Sequence, residues 1–238
     1  MNAIKKADDS RRASKDETRQ QVGAPKGVAW WVGMIINPLV LPLPLLFLMA
    51  RHAGAPTIEL TRIMAVALIG YIIIPLSLLL WLRSIGRIDT IEARNREARQ
   101  GPLFVGAGIL CITAILLFVV SDAAKGPVVS AALVLTVNAL LIAVITLRFK
   151  LSIHVASICG FISMLVMVNY LSGRLISGSA WILPVAIAGM FLVMWARIRE
   201  DAHSLREVVA GWIFGLLLPA LEFWLLHQGN LLYPSGTI

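Results

Sequence analysis

"LFVGAGILCITAILLFVVS", residues 103–121, is a run of apolar and small side chains without a single charge. An α-helix needs about 20 such residues to cross the hydrocarbon core of a bilayer, where its backbone polar groups satisfy one another inside the segment. Residues 28–50, 63–82, 128–147, 155–171, 181–196 and 208–227 are similarly apolar. The other spanning structure, a closed β-barrel, alternates apolar and polar residues along each strand, and these runs do not alternate. The expected fold is therefore an all-α polytopic transmembrane helical bundle of six or seven spans.

Composition agrees. Of the 238 residues, 58% are hydrophobic and 14% charged, against about a quarter charged in a soluble domain. The net charge of +8 comes from the N-terminal segment and the short connections rather than from a separable soluble domain. That placement suits a membrane face and contacts with anionic lipid, and argues against nucleic acid as a partner. Cys111 and Cys159 both fall inside apolar runs, where thiols behave as small hydrophobes; they suggest neither a disulfide framework nor a metal site.

Three regions are expected: a polar N-terminal tail over 1–27, a membrane domain over 28–228 and a short C-terminal tail over 229–238. The tail carries Lys5, Lys6, Arg11, Arg12, Lys15, Arg19 and Lys26, which assigns it to the cytoplasmic side of a bacterial-type inner (plasma) membrane. In the first run, "NPLVLPLP" at 37–44 places prolines at Pro38, Pro42 and Pro44. Each lacks a backbone donor and kinks or breaks a helix, so 28–50 is either a bent span or a re-entrant pair. The first alternative puts the face described next on the same side as the tail, and the second puts it on the other side. The connections "DAAKGP" and "SGRLISGS" carry the Gly, Pro and Ser that end helices.

Alternation of the spans places the connections 83–102, 148–154 and 197–207 on one face. That face collects Arg83, Arg87, Arg94, Arg96, Arg99, Arg148, Lys150, Arg197, Arg199 and Arg206, several carboxylates, and both His154 and His203. Cations converging from distant segments make an anion site, since guanidinium and ammonium groups match phosphate oxygens. A histidine beside them can serve as nucleophile or general acid, its pKa lying near operating pH. His203 and Glu207 are four residues apart; on a helix they would share a face, with the carboxylate holding one imidazole nitrogen. Asn138 and Asn169 are expected to hydrogen-bond between helices, and Glu222 to make a polar contact within the bundle or to lie near the opposite interface.

Taken in order, three segments resemble the type-2 phosphatidic acid phosphatase superfamily. "ARIREDAHSLREVVAGWIFG", 196–215, is similar to its third signature, Ser-Arg-x5-His-x3-Asp, through Arg197, His203 and Glu207; Ala196 stands at the serine and glutamate at the aspartate. "KLSIHVASICGF", 150–161, is similar to the second, Pro-Ser-Gly-His, through Ser152 and His154, with Leu151 and Ile153 at the proline and glycine. "ARNREARQGPL", 93–103, resembles the first, Lys-x6-Arg-Pro, through Arg94 and Pro102, or in a looser form through Arg96, Arg99 and Pro102. "YPSGT" near the C-terminus echoes the second signature, but Thr237 follows the glycine where histidine is required.

The resemblance implies a membrane phosphatase acting on a lipid phosphate or polyprenyl (di)phosphate through a phosphohistidine intermediate, without metal or other cofactor. His203 would be the nucleophile, Glu207 its orienting group and His154 the general acid. Arg197, Arg96, Arg99, Lys150 and Ser152 would hold the phosphate. Membrane lipids and the lipid phosphate itself are the implied partners. The alternative is a non-catalytic membrane protein of the same fold that binds an anionic lipid headgroup. Transport of a small anion ranks below both, because transporters place polar breaks at mid-membrane and these charges sit at one interface.

Overall fold

The computed structural model describes residues 27–88 and 96–229, with side chains from Ala98 onward in the second stretch. Both tails beyond Gly27 and Gly229, including "YPSGT", and the connection 89–95 with Arg94, lie outside the described residues. The chain runs α1 (Val28–Ile35), α2 (Pro42–His52), α3 (Thr57–Ala67), a π-helical turn (Leu68–Ile73), α4 (Ile74–Ser84), α5 (Arg96–Val120), α6 (Lys125–Thr146), α7 (Ile153–Leu171), α8 (Ser179–Arg199) and α9 (Leu205–Gln228). No strand occurs among the described residues.

Six continuous helices are long and apolar enough to cross a membrane: Thr57–Ser84, Ala98–Val120 and the helices α6 to α9. Their flanks expose Ile112, Val119, Val185, Phe191 and Leu217, an apolar outer surface that fits lipid and not water. Trp31, Trp81 and Trp195 are exposed toward one end of the bundle, and Trp181 and Trp224 toward the other, as expected of aromatic belts at two interfaces. The chain is an integral membrane protein with an all-α bundle fold.

The first apolar run is broken, as its prolines require. Ile36 leaves helical geometry, Asn37 Oδ1 accepts from Leu39 N at 2.9 Å, and Pro42 starts α2 at a position that needs no donor. The two pieces nevertheless join opposite ends of the bundle. Gly33 of α1 lies against Arg197 at the end of α8, whereas His52 Nε2, at the end of α2, is 3.1 Å from Ser172 Oγ beyond α7. Residues 28–52 therefore form a bent passage rather than a re-entrant pair. Leu45, Leu46, Met49 and Ala50 of its second piece are fully enclosed in the core.

α7 is the most enclosed spanning helix, and its main partner is α9. Small residues let the two backbones touch. A Cβ at Gly211 would meet Ser152 O at 2.7 Å, and one at Gly215 would meet Ala156 O at 2.3 Å, the close approach that small-xxx-small spacing permits in membranes. Near the middle of the Thr57–Ser84 helix, Pro75 follows the π-helical turn. The missing donor and the ring's clash with the preceding turn are absorbed by that wider turn, which carries Tyr71.

Two polar expectations for the spans have different outcomes. Asn138 Nδ2 donates to Glu222 Oε2, joining α6 to α9. Asn169 does not bridge helices: its Oδ1 accepts from Ile176 N at 2.7 Å, in the connection that follows its own helix, because it sits in the last turn of α7, where a loop amide is within reach.

Candidate functional site

The site forms where α5, α7 and α9 begin and α8 ends. After Arg199 the chain reverses through Asp201, the only non-glycine with positive φ (49°) among the described residues; Asp tolerates this left-handed conformation better than most residues. The reversal lets His203 N donate to Arg197 O at 3.2 Å. Ser204 then caps α9: its Oγ accepts from Glu207 N at 3.4 Å, and Ser204 N donates to Glu207 Oε2 at 3.1 Å. This reciprocal pair is a capping box.

The same Glu207 oxygen holds the His203 ring, with Nδ1 to Oε2 at 2.9 Å. The expected pairing is present, but not because both residues lie on one helical face. α9 starts at Leu205, so His203 precedes the cap and the contact depends on the capping box pulling the glutamate back over the helix start. The signal was present in the sequence as Ser-x-x-Glu, a capping-box spacing that the histidine-centred reading passed over.

His154 occupies the first turn of α7 and is buried. Its ring is hydrogen-bonded to the backbone of Gly33 and lies close enough to Arg197, His203 and Arg99 for each to act on it electrostatically. Among the described residues, His154 Nε2 and Ser152 Oγ are buried without a hydrogen-bond partner. Such orphaned polar atoms are rare in protein cores, where strain, a catalytic role or a bound water or ion accounts for them.

Arg197 is 1% exposed, and its Nη2 donates to Glu200 Oε2 at 2.6 Å. Gly33 makes room for it: a Cβ there would stand 2.0 Å from Nη2. Neither Gly33 nor Glu200 was singled out by sequence reasoning, since a glycine in an apolar run and a glutamate in a charged loop carry no distinguishing pattern. Arg99 is buried and donates from Nη1 to Leu151 O at 3.4 Å. Lys150 Nζ donates to Ala202 O at 2.7 Å. Ser152 N donates to Glu207 O at 3.3 Å, tying the start of α7 to α9. The structure thus brings together His203, Glu207, His154, Ser152, Lys150, Arg197 and Arg99; the Arg96 side chain lies outside the described residues.

A cavity of about 270 Å³ lies in the bundle beside this cluster. Of the cluster, Arg99 and His154 line it, and Leu45, Leu79, Leu103 and Leu110 are among its apolar walls. On α5 the lining reaches from Arg99 to Leu110, about 16 Å at the helical rise.

The chain matches no protein-family model, no curated protein and no solved structure. The class of protein is therefore set by fold and geometry: an integral membrane helical bundle with a cationic, histidine-bearing cluster beside an apolar cavity.

Proposed function

We propose that the protein is a membrane phosphatase that removes phosphate from a lipid phosphate or polyprenyl (di)phosphate, as its resemblance to the type-2 phosphatidic acid phosphatases implies. The observation that carries the reading is the convergence of His203, Arg197 and Arg99 on His154, where His154 and Arg99 also line an apolar cavity. A phosphate would sit among the cations while its hydrocarbon lies along the leucines.

In this reading Glu207 accepts from His203 Nδ1 and leaves Nε2 as the attacking atom. Nε2 bonds to phosphorus as the bond from phosphorus to the lipid oxygen breaks. His154 gives a proton to the departing oxygen and takes one back from the water that then cleaves the phosphohistidine, releasing inorganic phosphate and free His203. Arg99, Lys150 and Arg197 offset the charge on the phosphoryl oxygens. The chain enters α1 from the end of the bundle that bears the site, so a cytoplasmic tail places the site on the cytoplasmic face.

The test is phosphate release from phosphatidate, phosphatidylglycerol phosphate and polyprenyl diphosphates in detergent, with His203→Ala as the blank. His203→Ala and His154→Ala are expected to abolish release, and His52→Ala and His227→Ala to leave it intact. Unchanged release in His203→Ala would sink the mechanism.

The non-catalytic reading has one observation in its favour: Arg197 is engaged by Glu200, which spends part of its charge within the protein. Headgroup binding without turnover, lost in an Arg197 variant but kept in His203→Ala, would select it.

A further inference from the structure

The cavity follows one face of α5 and ends inside the bundle. Arg99, Leu103, Gly106 and Leu110 line it, at the alternating spacing of four and three residues that keeps to one helical face. Leu45 of α2, Val134 of α6, Met164 of α7 and Pro219 of α9 are the last of their helices to line it in the direction away from the cluster. Further along the same faces stand Met49, Leu117, Ala131, Val168 and Phe223, each 0% exposed and all within one apolar core. Five helices thus stop lining the cavity and close against one another beyond it, which gives it a packed floor.

Two helices give the same depth. From Arg99 to Leu110 α5 rises about 16 Å, and from His154 to Met164 α7 rises about 15 Å. An extended hydrocarbon of about 13 carbons covers that distance at roughly 1.2 Å per bond. The volume of about 270 Å³ falls just under the ~300 Å³ at which small-molecule pockets begin, room for one chain and not for two. Arg99, where the lining of α5 starts, is a permanent cation suited to a phosphate head. Gly106 stands two turns in, about 10 Å from Arg99 along the helix, with nothing within 4 Å of an added Cβ.

We propose that the cavity is a closed-ended sleeve for one hydrocarbon chain of a lipid phosphate, entered with the phosphate at Arg99 and His154, and that its floor at Leu45, Val134 and Met164 limits the enclosed chain to about 13 carbons. This deepens the phosphatase reading and rests on it only for the head being a phosphate. Gly106 and Met164 take no part in the chemistry; they set the length of chain that the sleeve accepts.

The experiment measures the affinity of octyl, dodecyl and hexadecyl phosphate for the full chain in phosphatidylcholine nanodiscs and, separately, phosphate release from each. The ratio of variant to wild-type affinity at each length cancels the partition of the probe into the bilayer. Gly106→Leu puts a side chain into the sleeve beyond the reach of an octyl chain. It should weaken dodecyl phosphate about tenfold and leave octyl phosphate unchanged. Gly108→Leu adds the same bulk on α5 at an exposed position outside the cavity and should change neither. Met164→Ala lowers the floor and should favour hexadecyl over dodecyl phosphate relative to wild type. The unfolding midpoint of Gly106→Leu should not fall, since leucine is the better helix former. Equal loss at all lengths in Gly106→Leu, no loss for dodecyl phosphate, or the same loss in Gly108→Leu overturns the sleeve even if phosphate is released. A length-selective loss with no release from any probe by the wild type overturns the phosphatase reading and leaves the sleeve standing.

Discussion

His203 and Glu207 are joined at 2.9 Å through Nδ1 and Oε2, and that same oxygen accepts the Ser204 amide at 3.1 Å. One carboxylate both starts α9 and orients the ring. Glutamate suits this double duty because the capping box favours Glu or Gln at that position. Glu207→Gln should keep the cap, with an unfolding midpoint near wild type, and lower the proposed phosphate release by about 100-fold through loss of the charge facing the imidazole. Glu207→Ala should lose both, with an added stability cost of about 1 kcal/mol. Thermal unfolding and phosphate release measured side by side separate the two roles; a Gln variant as active as wild type would show that Glu207 is only a cap.

Gly33 and Arg197 are held at a separation no side chain can enter, since an added Cβ would stand 2.0 Å from Nη2. Gly33→Ala should push the guanidinium off Glu200, disturb the His154 ring that the Gly33 backbone holds, and cost about 1–3 kcal/mol. Gly108→Ala, with nothing within 4 Å of the new methyl, should be neutral or stabilising by up to about 1 kcal/mol. Equal unfolding midpoints for the two variants would refute the close packing.

The reversal at Asp201, with φ of 49°, brings His203 back over Arg197. Asp201→Gly should be tolerated, since glycine adopts this conformation freely. Asp201→Val should cost about 1–2 kcal/mol and lower phosphate release by misplacing His203. Wild-type release and stability in Asp201→Val would mean that the loop reverses without this residue's conformation.

At the other end of the bundle Glu59 is 2% exposed and accepts from the backbone N of Asp122, Ala123 and Ala124 at 2.8, 3.1 and 2.9 Å. It pins α3 to the connection before α6, far from the histidines. Glu59→Gln should lower stability by about 2 kcal/mol while leaving phosphate release per folded molecule unchanged below the melting range. A specific loss of release at full foldedness would contradict its purely structural place.

Much of the bundle was legible because each span must be apolar along its whole length, and that requirement is visible one segment at a time. The break at Pro38 and Pro42 was legible too, since a missing donor acts locally. Whether the broken pair crossed or turned back was not: the answer lies in Gly33 meeting Arg197 and His52 meeting Ser172, contacts between residues more than a hundred positions apart. For the candidate site, alternation of the spans placed His154, His203 and the arginines on one face. The Ser-x-x-Glu cap, although written in the sequence, was hidden by the competing histidine spacing.

The amino-acid sequence by itself determined that this chain is a helical membrane protein, where its helices stop, and which end of the bundle gathers cations and imidazoles, because hydropathy, proline chemistry and charge act over one segment. Tertiary structure alone decided that Arg197 meets Glu200 beneath a glycine, that α7 and α9 approach through Gly211 and Gly215, and that Arg99 and His154 line an apolar cavity within the bundle. Those features depend on distances between side chains of different helices, set by how the helices pack and not by the residues within any one of them.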